Sequence, residues 1–256
     1  MGEDNNMFWQ DYGKEEIAVM MQALAIIILI TVLLWIFLRK KDLKYRMIPL
    51  IVITSIMLAL ELTKQIYNAA NGTYDWYVVP LHFCSLFLYF YPLMVFCKGK
   101  IKNFGMTMSL VTSVWMFVLF YFNPSPIIGA SPTHLFETFS NFHTFVHHHL
   151  VVLFLLVSLL LNVYNIDKRS LLHVVIGISA YALIALPVAH LTGTNYCNLL
   201  TSNIPFMESL RQSVGQVWYT IIMWLIGIGG GFIVCGTYIG INSIVKISKR
   251  NKARTK

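Results

Sequence analysis

Residues 17–38, IAVMMQALAIIILITVLLWIFL, carry no charge, and residues 39–46, RKKDLKYR, follow with five basic side chains. A helix of about 20 apolar residues crosses the hydrocarbon core of a bilayer without leaving a backbone group unpaired. The two stretches together read as a membrane-crossing helix that ends on a basic face. Similar mostly apolar stretches recur at 47–69, 78–97, 103–122, 142–163, 171–192 and 214–245. They predict an all-α polytopic membrane protein with seven transmembrane helices. The last stretch is long enough to tilt, and its glycines Gly227, Gly229, Gly230 and Gly231 favour a kink.

Composition agrees. The 256 residues are 57% hydrophobic and 12% charged, about half the charge of a soluble domain. That excludes a disordered chain, a coiled coil and a disulfide-stapled module. Cys84, Cys97, Cys197 and Cys235 stand singly, with neither a redox nor a zinc-ribbon spacing.

The basic residues give direction. Arg39, Lys40, Lys41, Lys44 and Arg46 lie between the first two stretches, and Lys98, Lys100 and Lys102 between the third and fourth. Lys168 and Arg169 follow the fifth; Lys246, Lys249, Arg250, Lys252, Arg254 and Lys256 follow the seventh. Sixteen of the nineteen Lys and Arg thus fall on alternate sides of the stretches, hence on one face, which the positive-inside rule makes cytoplasmic. The expected layout is an extracytoplasmic segment 1–16, a transmembrane domain 17–245 and a basic cytoplasmic tail 246–256, integral to the plasma (inner) membrane. The first stretch has acidic residues before it and basic ones after, the reverse of a signal peptide. The net charge of +8 is therefore a topology signal, with anionic lipid headgroups rather than nucleic acid as its partner. Two long outer connections, 123–141 and 193–213, are rich in Pro, Asn and Ser, where binding surfaces tend to lie.

Ionisable groups inside spans are costly and mark candidate sites. Glu61, Lys64, His82, Cys84, the run His143, His147, His148, His149, and His190 all fall in the outer half of their stretches. A proton or ion path would place polar groups at every depth; this one-sided set suits chemistry on outer-leaflet lipid. For acyl transfer, His148 is the candidate general base and Cys84 the candidate nucleophile, with a helix start lowering its thiolate pKa. His82 or Asn195 would steady the oxyanion or orient the base. Glu61, Lys64, His147, His190, Asn195 and Tyr196 complete the expected substrate pocket. His143 and His147 have metal-ligand spacing, with His82 or His190 as a third ligand, which keeps a zinc-dependent lipid amidase open. A transporter or ligand-binding protein built on Glu61, Lys64 and the histidines is the non-enzymatic alternative.

Several segments resemble one family. Pro80-Leu81-His82-Phe83-Cys84 is similar to the LPLHLC signature of the bacterial YwaF-like integral membrane proteins, and Glu61 in the preceding span fits the same pattern. Phe145-Val146-His147-His148-His149, Thr192-Gly193-Thr194-Asn195-Tyr196 and Trp218-Tyr219 resemble its later segments, in order and spacing, over about residues 50 to 235. That family is related to the transmembrane protein 164 group, seven-span proteins implicated as cysteine/histidine acyltransferases on phospholipid acyl chains, and more distantly to the androgen-induced hydrolases of fatty-acid esters. The resemblance implies acyl transfer or lipid-ester hydrolysis with membrane lipids as partners and no soluble cofactor. In the animal proteins the cysteine directly precedes the motif histidine, where this chain has Leu81. His82 and His148 therefore carry over better than Cys84. In architecture alone, the chain also resembles the seven-span ceramidase-like hydrolases.

Overall fold

A computed structural model describes residues 12–122, 124, 127, 132–202 and 204–254, with side chains to residue 245. The described residues form helices joined by turns and loops, with no strand. In chain order the helices are α1 (Lys14–Leu38), α2 (Leu43–Arg46), α3 (Ile48–Ala70), α4 (Phe87–Phe96), α5 (Gly99–Phe122), α6 (Phe139–Leu160), α7 (Ser170–Thr192), α8 (Pro205–Val214) and α9 (Gln216–Arg254). Among the described residues, six helical stretches are long and apolar enough to cross a membrane: Lys14–Leu38, Leu43–Ala70, Gly99–Phe122, Phe139–Leu160, Ser170–Thr192 and Gln216–Val245. The protein is a polytopic helical membrane protein. The acidic residues Glu3, Asp4 and Asp11, most of 123–131 and the side chains of the basic tail lie outside the described residues.

The stretch 78–97 is not a continuous helix. A 3-10 turn at Trp76–Val78 and another at Phe83–Ser85 flank an extended segment, and only Phe87–Phe96 is α-helical, about 15 Å long. Pro80 has no N–H to give to a helix and holds the residue before it extended, here Val79 at φ −59°, ψ 130°. The carbonyls that a helix would have engaged find side-chain partners instead. Tyr77 O is 3.2 Å from His82 Nε2, Pro80 O accepts from Tyr89 Oη at 2.9 Å, and Leu81 O accepts from Tyr181 Oη at 2.8 Å. Irregular backbone at membrane depth persists only where protein satisfies it in this way.

The chain forms two compact units, Met1–Tyr74 with Ser113–Tyr164 and Asp75–Thr112 with Asn165–Lys256, and α5 runs through both. In the first, α1 and α3 each pack on α6. Arg46 Nη1 donates to Leu161 O at 2.7 Å, so this basic residue also caps the C-terminal end of α6. In the second, α7 and α8 each pack on α9. Close approach there depends on glycine. A Cβ at Gly105 would lie 2.5 Å from Met94 N, and one at Gly231 would overlap Val174 Cγ1. Small residues let helices approach in lipid, where hydrophobic exclusion gives little drive. The helix α9 continues through Gly229-Gly230-Gly231, where Gly231 serves the close approach to Val174 and Gly229 has nothing within 4 Å.

Candidate functional site

The first unit holds a buried string of polar side chains. Glu61 of α3 is 8% exposed. Its Oε1 lies 2.8 Å from Lys64 Nζ and accepts from Gln65 Nε2 at 2.5 Å, as i,i+3 and i,i+4 spacing on a helix allows. His143 Nε2, from α6, lies 3.5 Å from Glu61 Oε2. With these donors around it, the carboxylate is a satisfied ion pair whose reach is towards His143.

The register of α6 follows from its start, where Thr138 Oγ1 accepts from Asn141 N at 3.1 Å. One turn in, His143 and His147 share a face and stack at 5.5 Å between centroids, 21° between planes. His147 in turn meets His148 edge-on at 5.7 Å. His148 lies nearly parallel to Phe120 at 5.5 Å, and His149 meets the same ring edge-on at 5.0 Å.

Two of these imidazoles have a defined tautomer. His148 Nδ1 is 2.6 Å from Thr144 O, and His149 Nδ1 is 2.7 Å from Phe145 O. A carbonyl only accepts, so Nδ1 carries the hydrogen, and each neutral ring keeps its lone pair on Nε2. Both Nε2 atoms are buried and have no hydrogen-bond partner among the described residues. Leaving a buried polar atom unsatisfied costs about 1–3 kcal/mol. An oriented, desolvated lone pair is what a general base needs. For the metal alternative, no group of three His, Cys, Asp or Glu side chains able to hold an ion occurs among the described residues, and His143 and His147 stack face to face.

The second unit holds the remaining expected residues. His82 is extended (φ −70°, ψ 160°), its ring between Tyr77 at 4.5 Å and Tyr196 at 4.9 Å. Tyr196 is fully buried and its hydroxyl donates to Trp76 O. Asn195 is consumed by its own turn: Nδ2 donates to Thr201 O and Oγ1 at 3.0 and 2.9 Å, and Oδ1 accepts from Leu200 N at 2.9 Å. Cys84 sits in the 3-10 turn, short of the start of α4, rather than in the first turns of a helix. It lies within electrostatic range of Tyr77 and of Cys197. Cys197 is left-handed at φ 51°, as is Asn198 at φ 57°. The Tyr181 hydroxyl faces two acceptors, Leu81 O at 2.8 Å and Cys197 Sγ at 2.6 Å, and has one hydrogen to share between them. Burial pushes that thiol up to about 12. Burial also raises the Tyr77 phenol, with Cys84 and Asp75 adding to the shift.

The profile of the TMEM164 family matches residues 12–236, most of the chain. The chain belongs to the TMEM164 family. No curated protein and no solved structure matches it.

In this TMEM164-family chain, Glu61, Lys64, His143, His147 and His148 come together in the first unit, and His82, Cys84, Asn195 and Tyr196 lie in the second. His190 is exposed near the C-terminal end of α7. One role and one residue go beyond the sequence reading. His149 shares the tautomer and unsatisfied Nε2 of His148; the signal was present, since three consecutive histidines at 100° steps cannot all face one way. Cys197, engaged with Tyr181, carried no sequence signal, because cysteine is not a residue expected in the left-handed region.

Proposed function

We propose that this TMEM164-family protein is an acyltransferase or lipid-ester hydrolase of the plasma (inner) membrane, acting on phospholipid or lysophospholipid acyl chains from the outer leaflet. The supporting observation is the buried, unpartnered Nε2 of His148, with Nδ1 fixed by Thr144 O. In this reading His148 Nε2 takes the proton from water or from an acceptor hydroxyl as that oxygen attacks the ester carbonyl. The acyl C–O bond then breaks, and the imidazolium returns the proton to the leaving alkoxide. Exchange of one ester for another, or for an acid and an alcohol, is redox-neutral and consumes no soluble cofactor. The basic face of the spans holds anionic headgroups by charge. His82 serves to orient substrate. Cys84 is the nucleophile of the two-step variant, in which the acyl group passes through a thioester.

The test is lipid turnover by purified protein in mixed-lipid vesicles, read by mass spectrometry. His148→Ala is expected to lower turnover by a factor on the order of 10² or more, the usual contribution of a general base. Loss in Cys84→Ala assigns the thioester route, and retention assigns direct attack. A folded wild-type protein that alters no lipid refutes the reading. The transporter alternative draws on the Lys64–Glu61–His143 string, and it requires that Glu61→Gln abolish substrate flux while Cys84→Ala leaves it unchanged.

A further inference from the structure

Two short turns of the second unit, far apart in sequence, close on one another, and each carries a cysteine. Cys84 is the middle residue of the 3-10 turn Phe83–Ser85, and Cys197 the middle residue of Tyr196–Asn198. Three contacts join the turns. The His82 ring lies against that of Tyr196 at 4.9 Å between centroids. The Tyr181 hydroxyl bridges Leu81 O and Cys197 Sγ, at 2.8 and 2.6 Å, so that sulfur is no further from Leu81 O than the two lengths laid end to end. The backbone N–H of Phe83, the residue joined to Cys84, also donates to the Cys197 sulfur. Cys197 Sγ therefore sits against the backbone that leads into Cys84, and the two thiols interact electrostatically. Both are free and partly buried. The other two cysteines stand elsewhere, Cys97 at the C-terminal end of α4 and Cys235 within α9.

The two turns lie at the span ends opposite the basic connections 39–46, 98–102 and 168–169. The positive-inside rule makes that face extracytoplasmic, the side on which disulfides form and persist. We propose that Cys84 and Cys197 are a redox pair, which a small-molecule or protein disulfide converts into a Cys84–Cys197 bridge. The Cys84 thiolate attacks the oxidant's S–S bond and forms a mixed disulfide, and one thiol departs. Cys197 Sγ then attacks Cys84 Sγ and gives its proton to the second departing thiolate. Two cysteine thiols lose two electrons and two protons, and the oxidant's S–S bond becomes two thiols. Burial keeps Cys197 protonated, which suits it to the second step. Sequence spacing gave no sign of this pair, because the fold alone brings the two turns together. Only its consequence rests on the proposed activity: the bridge withdraws Cys84 from the thioester route.

The experiment uses the full chain in lipid nanodiscs, first reduced, then freed of reductant and incubated with oxidised glutathione. The sample is quenched with acid, unfolded in the presence of N-ethylmaleimide and digested for mass spectrometry. Most of Cys84 is expected in a peptide bridged to Cys197, with Cys97 and Cys235 recovered as maleimide adducts. Cys197→Gly suits the left-handed backbone there, at φ 51°, and so keeps the turn. In that variant Cys84 should stop at the mixed glutathione disulfide, about tenfold more abundant than in wild type, because no thiol held beside it outcompetes glutathione. Three results would each overturn the assignment: Cys84 and Cys197 both recovered as maleimide adducts, a bridge from Cys84 to Cys97 or Cys235 in equal yield, or a mixed disulfide as abundant in wild type as in Cys197→Gly. Lipid turnover is read on the same samples, and the oxidised protein is expected to lose activity that dithiothreitol restores. Because the bridge is read by peptide mass, a bridged protein that turns over lipid at full rate sinks the thioester route and leaves the redox pair standing. A lipid-active protein with no bridge does the reverse.

Discussion

Replacing either partner of the Glu61–Lys64 pair should destabilise the protein, and by unequal amounts. Lys64→Leu strands the carboxylate. Its side chain is 11% exposed, and it keeps only Gln65 at 2.5 Å and His143 at 3.5 Å. Removing one partner of a buried ion pair costs about 3–5 kcal/mol, and the remaining donors place this case at the lower end, about 3 kcal/mol. Glu61→Leu instead leaves the ammonium, whose side chain is 20% exposed and sits one turn nearer the helix end. A lysine there extends its stem towards the interface and recovers water. What is lost is the bond to Gln65 and the contact with His143, about 1 kcal/mol net. The expected difference is thus about 2 kcal/mol, with Lys64→Leu the worse variant and the double variant close to Glu61→Leu. Equilibrium unfolding in mixed micelles with increasing anionic detergent measures all three against wild type. Equal costs, or a larger cost for Glu61→Leu, would refute the view that the carboxylate is the buried member and the lysine the mobile one.

Other consequences are as direct. The Cys197 thiol, held near 12 by burial, is almost wholly protonated at pH 8, so maleimide should modify it at least 10²-fold more slowly than an ordinary exposed thiol of pKa about 8.5; comparable rates would contradict the raised pKa that burial gives it. Arg211, through Nε at 2.9 Å and Nη2 at 2.5 Å, and the Ser202 N–H hold the Glu208 carboxyl at about 2. A depressed carboxyl contributes stability that is present above its unfolded pKa of about 4.3 and is lost as pH falls towards the folded value. Hydrogen exchange across Pro205–Val214 should therefore be constant from pH 7 to about 5, after correction for intrinsic rates, and rise between about pH 4 and 2; no rise would mean the pair does not order α8. Gly105→Ala should cost about 1–3 kcal/mol, because its Cβ meets the backbone of Leu93 and Met94, whereas Gly229→Ala, with nothing within 4 Å, should be neutral or slightly stabilising. Thermal unfolding of the two variants side by side decides it.

The continuous spans were legible because hydropathy over about 20 residues measures the property the bilayer selects. The broken stretch was not. Pro80 was visible, but the compensation that lets the chain stay extended comes from His82, Tyr89 and Tyr181, the last of them 100 residues away from Leu81. Reading 78–97 as a helix carried a second error with it, since it placed Cys84 in first turns that begin only at Phe87. The Glu61–Lys64 pair was legible as i,i+3 spacing on one helix, while the approach of His143 depends on how α3 meets α6. Asn195 shows the opposite failure. It looked like a spare amide for an oxyanion, and the turn it closes uses both ends of that amide.

The histidine run shows how a helix can give adjacent identical residues different tasks. Successive side chains rotate by about 100°, so His147 stays with His143, His148 turns to the face of Phe120, and His149 reaches the α1 side. Two of the three return Nδ1–H to the carbonyl four residues earlier, an acceptor already engaged by the helix, and so direct the other nitrogen away from the backbone. The tautomer is therefore set by local geometry and does not require a carboxylate partner of the kind that orients histidine in many catalytic sites. Glu61 is left to hold His143, one turn back. What His148 and His149 lack is a donor, and in a bilayer the available donors are the hydroxyl and acid groups of lipids and the water that follows them. An arrangement that leaves two buried lone pairs at a cost of about 1–3 kcal/mol each is stable alone only if the rest of the bundle offsets it, and it becomes more stable whenever such a donor arrives.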